Sequence, residues 1–358
     1  MMNSTEIPWP LIISRIQRGS TCFGMLTNFI LIQLILFSSP KSLGIYKYLM
    51  IYISVFELLY GAVDLMILPD MYTQDSSFFV MVDPRKSILP ESFIQLADLI
   101  FCGAFAVSLA IFGVQFTYRY FVLTGNKIIA KKSYTNFIIW LGSPILFASV
   151  WSASCAYFMS RNEYVDWVLR ENVIPVMFDD FDIDRIAFVG VIFFPQIGNS
   201  TETTVNWDSF YAMGINSCVL SSTEFIMFFY AFKSYMATKR FMAQAAGSTK
   251  LKRLQWQLFY AIVSQACIPI FFMQIPITAI YISLFLNSSS PLFGQIQAIT
   301  ISFYLATDAL PTIFIIKPYR ETVLDFFKCI KINITFAWPK RRTGDSSATA
   351  SNLQAKVL

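Results

Sequence analysis

The sequence predicts an all-α membrane protein, a bundle of seven transmembrane helices. Three observations carry that reading. Of 358 residues, 56% are hydrophobic and 17% aromatic but only 14% charged, against about 25% charged in an ordinary soluble domain. Apolar runs long enough to cross a bilayer recur from one end to the other. Lysine and arginine are segregated into alternate connections between those runs, as membrane topology requires.

Taken in order, the apolar segments fall near 12–37, 48–68, 93–118, 135–159, 210–232, 257–286 and 295–316, giving a transmembrane unit over 1–316. The ten residues that open the chain hold no Lys or Arg, and the first apolar run is too long for a signal peptide and lacks a small-residue cleavage site, so it is expected to enter the membrane uncleaved. It also carries Arg15 and Arg18 near its start. The third is uncharged from Phe101 to Phe116 and then meets Arg119, set between Tyr118 and Tyr120. An arginine at a helix end either snorkels to the interface or holds a polar partner on a neighbouring helix. A polar connection over 160–206 includes Asp179, Asp180, Asp182 and Asp184, and reads as a solvated loop or as a cap over an outward cavity. Within it the apolar run 186–194 is too short to span, which predicts a hairpin or a lid packed on the bundle. In the sixth segment Pro269 and Pro276 free backbone carbonyls and permit a kink.

After the seventh segment, Val323, Phe326, Phe327 and Ile330 recur at helical spacing while charges occupy the other faces, so 317–332 is expected to be an amphipathic helix lying in the inner interface. Cys329 there is a candidate for S-palmitoylation. The remainder, 333–358, is expected to be a mostly disordered tail.

Orientation follows from the cations. With the amino terminus outside, 20 of the 27 Lys and Arg residues fall on the inner face. Acceptor sequons at Asn3, Asn199 and Asn287 then lie outside, where they would be glycosylated.

Several chemistries are excluded. The chain has no histidine, which removes the commonest general base and metal ligand. Its six cysteines are scattered without a CxxC, and no hydrolase or nucleotide-binding motif occurs. No catalytic residue, cofactor, metal or nucleic-acid partner is assigned. Membrane lipids are the one partner that composition demands. Five acids lie within the apolar segments: Glu57, Asp64, Asp98, Glu224 and Asp308. Each is costly in hydrocarbon, so all are expected to face the bundle interior. Asp64 and Asp98 sit toward the outer ends and could face an outward cavity. Met273 and Gln274 between the prolines, and Tyr281 beyond them, could line such a cavity for a small, mostly apolar ligand.

The phrases Ser39-Pro-Lys-Ser-Leu-Gly-Ile-Tyr-Lys-Tyr-Leu-Met, Phe56-Glu57-Leu, Gln115-Phe-Thr-Tyr-Arg-Tyr and Asp308-Ala-Leu-Pro-Thr-Ile-Phe-Ile-Ile-Lys-Pro-Tyr-Arg resemble the nematode Str-class chemoreceptors, a class of G-protein-coupled receptor that includes odorant receptors. The resemblance implies detection of an external small molecule, a sensory-neuron cilium as the site of action, and a heterotrimeric G protein as the partner. It gives Arg119 the role of the arginine in the Asp-Arg-Tyr motif of other receptors, with Tyr118 standing where the acid would be. Lys239, Arg240, Lys250, Lys252 and Arg253, in the third inner connection, would face the G protein. The disulfide usual in such receptors has no second cysteine between Ser160 and Asn206, which leaves Cys102 and Cys155 as the pair that could form one. Two other classes compete. An odorant-gated channel has the inverted topology, which glycosylation at Asn3 or Asn199 would exclude. A transporter would be expected to show an internal repeat, and none is visible.

Overall fold

A computed structural model describes residues 9–44, 46–125, 134–173, 183–196, 203–244 and 249–337. Seven helices are long and apolar enough to span a bilayer. The first five spans are Trp9–Ser38, Tyr46–Ile67, Glu91–Leu123, Tyr134–Phe158 and Trp207–Gln244. The sixth runs Thr249–Phe285 and the seventh Pro291–Ile315. The third, fifth and sixth outrun the apolar segments because a helix need not end where the hydrocarbon does. About 20 residues suffice to cross, whereas the fifth helix has 38. Lys239 and Arg240 therefore belong to the fifth helix, and Lys250, Lys252 and Arg253 to the sixth, instead of to a loop. Asn3 and Asn199, Asp179, Asp180 and Asp182, and the tail from 338 onward lie outside the described residues.

The third span is the axis of the bundle. It is buried almost continuously from Phe101 to Arg119, and the second, fourth, fifth and sixth spans pack on it. The first span packs on the second and seventh. Both prolines of the sixth span act on its backbone. The α-helix runs to Pro269, a π-helical turn occupies Ile270–Gln274, and the α-helix resumes at Ile275–Phe285 with Pro276 in its first turn. A wide turn absorbs the ring that a regular turn would exclude. The seventh span is an α-helix from Pro291 to Thr307, passes through Asp308 and Ala309, and re-forms at Leu310–Ile315 ahead of a final helix, Lys317–Ala337. That helix is anchored by buried Tyr319, whose hydroxyl lies 2.7 Å from that of Ser39, and leaves Phe326 and Phe327 exposed.

The run 186–194 forms a lid, as expected, but as one strand of a sheet whose other strands were not anticipated. β1 (Asp70–Gln74) and β2 (Ser77–Val82) make a hairpin between the second and third spans, and β3 (Ala187–Ile192) pairs antiparallel with β2. Two residues, Asp75 and Ser76, close the hairpin, with Asp75 at φ 52°. The sheet is fixed to the bundle on three sides. Gln95 of the third span bonds both the carbonyl (3.1 Å) and the amide (3.2 Å) of Phe188, acting as a further strand partner. Thr73 bonds the Ser290 carbonyl and accepts from the Gly294 amide at 3.0 Å. Ser209 accepts from the Ile192 amide at 3.1 Å.

In a bilayer no water is released when apolar helices meet, so close packing must hold them. Gly24 shows this: a Cβ there would lie 2.1 Å from the Leu305 carbonyl oxygen of the seventh span. Gly24→Ala is expected to lower stability by about 1–3 kcal/mol, while Gly19→Ala, which meets nothing within 4 Å, should not. Thermal unfolding of the purified variants in detergent checks the contrast.

Candidate functional site

At the sheet end of the bundle the third, fourth, fifth, sixth and seventh spans enclose a cavity of about 60 Å³. Strand alternation builds its roof. Met71, Phe78, Val80, Val189 and Val191 point down from the sheet, while Tyr72, Phe79, Met81, Phe188 and Ile192 point up into a second core beneath Val165, Val168 and Leu169. The walls are Phe101, Phe105, Trp151, Ile277 and Ile301, with few polar groups among them.

Those polar groups are the informative ones. Gln297 is 1% exposed, and neither its amide oxygen nor its nitrogen has a hydrogen-bond partner. Asn216 donates to the Cys155 sulfur at 3.9 Å, leaving its own oxygen unpartnered. Tyr281 completes the set. Buried polar atoms are ordinarily paired. An apolar cavity holding a free amide and a free carbonyl suits a small uncharged molecule that can both donate and accept. Cys102 and Cys155 also line it, both as free thiols, so the pair that could have formed a disulfide is unbridged.

Of the other residues read as ligand-binding from the sequence, none lines the cavity. Met273 is fully buried just beyond it, its sulfur accepting from Ser108 Oγ at 3.5 Å. Gln274 has a buried, unpartnered Oε1. Asp98 is fully buried one turn before Cys102, with neither carboxyl oxygen partnered. Asp64, expected to be free to face a cavity, is instead tied to the first span, accepting from Gln17 at 2.9 Å and Thr21 at 2.7 Å. Glu57 accepts from the Tyr304 hydroxyl, and Asp308 receives Gln265 on its main-chain carbonyl at 3.0 Å. These two acids are close enough to repel if both were ionised. Glu224 departs from the inner-bundle expectation. It is half-buried, beside lipid-facing Phe225 and Phe228, where a long side chain on a helix flank can share its carboxyl with the surface.

At the opposite end Arg119 is only 3% exposed, so it does not snorkel. The third helix continues to Leu123 and carries it inward. Its Nη2 donates to the Gln255 main-chain carbonyl of the sixth span at 2.6 Å, its guanidinium lies 5.7 Å from the Phe259 ring centroid, and the Tyr46 phenol of the second span lies beside it. A neutral carbonyl and a ring face thus hold a cation that has no carboxylate partner among the described residues. Tyr118 turns away and packs with Leu49 and Val114. Beside this centre, Tyr120, Thr124, Lys233, Met236 and Arg240 line a groove between the third and fifth spans. Lys239 and Arg253 are exposed and Lys252 is half-buried at the same end.

The family model described as serpentine type 7TM GPCR chemoreceptor Str matches residues 13–324. Over 315 residues the chain is 32% identical to G-protein coupled receptor str-217 of Caenorhabditis elegans, covering 87% of this chain and 88% of that one. The chain belongs to the Str family of serpentine G-protein-coupled chemoreceptors. Serpentine receptor class r-10 of Caenorhabditis briggsae is 25% identical over 303 residues, with 84% and 86% covered. Squid rhodopsin shares the fold alone, at 12% identity and a TM-score of 0.59 over 91% of this chain and 87% of that one. This is a receptor family, not an enzyme family. The Str chain's cavity therefore lies in a receptor bundle whose polar lining the sequence did not single out. Gln297 was visible as an amide in an apolar span, but nothing local distinguishes it from Gln265 or Gln274.

Replacing Gln297 by Leu removes two unsatisfied polar atoms at similar volume. In the absence of ligand it should stabilise the receptor by about 1–3 kcal/mol, read as a higher Tm. An unchanged or lower Tm would mean that the amide is satisfied in the empty protein.

Proposed function

We propose that the receptor holds its amino terminus and sheet outside the cell, takes a small, neutral, mostly apolar molecule into the cavity, and activates a heterotrimeric G protein at the Arg119 end. One arrangement carries the reading: a roofed apolar cavity with unpartnered Gln297 and Asn216 at one end, and at the other an arginine that ties the third span to the sixth. The two ends share the third and sixth spans. Ser108 and Met273 touch between them, and the π-turn Ile270–Gln274 gives the sixth span a place to bend.

A ligand that binds better when the sixth span is displaced shifts the population toward that arrangement. Moving the span draws the Gln255 carbonyl and the Phe259 ring away from Arg119 and frees the guanidinium for the partner. Lys239, Arg240, Lys252 and Arg253 offer that partner complementary charge. Exposed Cys329, on the helix after the seventh span, supports palmitoylation on the same side, with the helix lying in the interface. Exposed Asn287 lies in the turn before the seventh span, at the sheet end, the side proposed to be extracellular. Plasma-membrane residence in a sensory cilium is part of the same proposal.

Ligand-evoked G-protein release in a heterologous cell tests the reading. Arg119→Ala should abolish it at normal surface expression. Tyr46→Phe removes the phenol beside the buried guanidinium and should raise basal release severalfold. If Arg119→Ala signals like wild type across a full odorant panel, the assigned role is wrong. Orientation has its own check: an epitope at Met1 should be labelled on intact cells, and one reached only after permeabilisation would support the inverted, channel-like topology.

A further inference from the structure

The way into the cavity is not through its roof. The sheet carries its ladder hydrogen bonds, the Gln95 and Thr73 clamps, and a second apolar core over its far face, where Val165, Val168 and Leu169 cover Tyr72, Phe79 and Phe188. Opening it would expose two apolar layers and break bonds on three sides at once.

The wall between the fourth and fifth spans is different. Neighbouring residues divide between its two faces. Trp151, Cys155, Met213 and Asn216 face the cavity, while Val150, Gly214, Ile215 and Cys218 line a groove on the outer surface of the bundle. The wall is one side chain thick. The polar contact across it is the amide of Asn216 on the Cys155 sulfur at 3.9 Å, a weak bond. On the groove side Gly214 has nothing within 4 Å of where a Cβ would stand, so the passage is open up to the wall. The groove's exposed residues, Val150 and Tyr211 among them, belong to segments that cross the hydrocarbon.

We propose that uncharged, lipid-soluble molecules enter the cavity sideways from the bilayer, between the fourth and fifth spans, with Asn216 and Cys155 as the latch. This rests on reading the cavity as the ligand site. It adds a constraint on the ligand: it must partition into lipid before it binds. Swinging Asn216 away uncovers Cys155 to the groove and leaves the roof intact. The same amide that closes the passage then has both its oxygen and its nitrogen available to an arriving molecule.

The two cavity thiols report passage without any agonist. Full-length receptor in phosphatidylcholine vesicles is treated with N-phenylmaleimide, neutral and lipid-soluble, or with a cationic methanethiosulfonate present on both sides of the membrane. Modification of Cys102 and Cys155 is followed by peptide mass spectrometry, with SDS-unfolded protein showing that both can react. N-phenylmaleimide is expected to modify Cys155 first and the cationic reagent neither. Gly214→Phe should slow the maleimide reaction by about tenfold or more, in the range over which blocked access changes on-rates. Gly214→Val, filling the same open space with less bulk, should fall between. Equal rates in wild type and both variants, modification by the cationic reagent as fast as by the maleimide, or no modification in the folded protein by either would each overturn the passage. Signalling separates the two readings. Evoked G-protein release without maleimide entry sinks the passage alone. Entry without any evoked release sinks the receptor mechanism and leaves the passage standing.

Discussion

A bilayer gives seven apolar helices no hydrophobic reason to associate, so the bundle depends on what else crosses between them. Here that is close backbone approach and buried polar pairing. Gly24 brings the first span against the Leu305 carbonyl, and Asp64 collects hydrogen bonds from Gln17 and Thr21. Glu57 is held by Tyr304, and Asp308 with its own carbonyl by Gln265. Each pair joins two different spans and is buried between them. Of the buried polar groups left unpaired, Gln297 and one edge of Asn216 line the cavity, while Asp98 and Gln274 lie outside it. The cavity is thus left with polar atoms that no protein group satisfies.

The same logic governs the other end. A buried guanidinium needs acceptors, and with Tyr118 where an acid would stand, Arg119 takes a main-chain carbonyl and a ring face, with the Tyr46 phenol beside it. A carbonyl cannot be removed by mutation or protonation, so this clamp responds to where the sixth span lies and not to the charge of a side chain. The clamp thus ties the third span to the span that carries the π-turn. At the sheet end, Gln95 meets both main-chain groups of Phe188. It thereby fastens the lid to the third span, a position where a disulfide would otherwise do so.

The spans and their approximate limits were legible because a long apolar run has few alternatives in water or lipid. The proline-altered sixth span was legible for the same kind of local reason. Tyr281 as a lining residue and a lid within 186–194 could also be read ahead. Less legible were the helix overruns that carry Lys239 and Arg253, since a solvated helix and a solvated loop share one composition. β1 and β2 escaped notice because Asp70–Val82 mixes polar and apolar residues without clean alternation; both faces of its second strand are buried, one by the cavity and one by the covering core. Asp98 and Asp64 looked equivalent, two acids near helix ends, and only packing separates the one with two donors from the one with none.

By itself, then, the chain's composition and periodicity determined a seven-span membrane protein. Its local phrases pointed to the serpentine chemoreceptors, because burial in lipid and family signature are both written in contiguous residues. The tertiary structure alone decided which polar groups pair and which stay free, where the cavity lies, and what Arg119 holds. Those outcomes depend on residues 43 to 247 positions apart meeting at a few ångströms, as Arg119 and Gln255 do, and no local pattern encodes such a meeting.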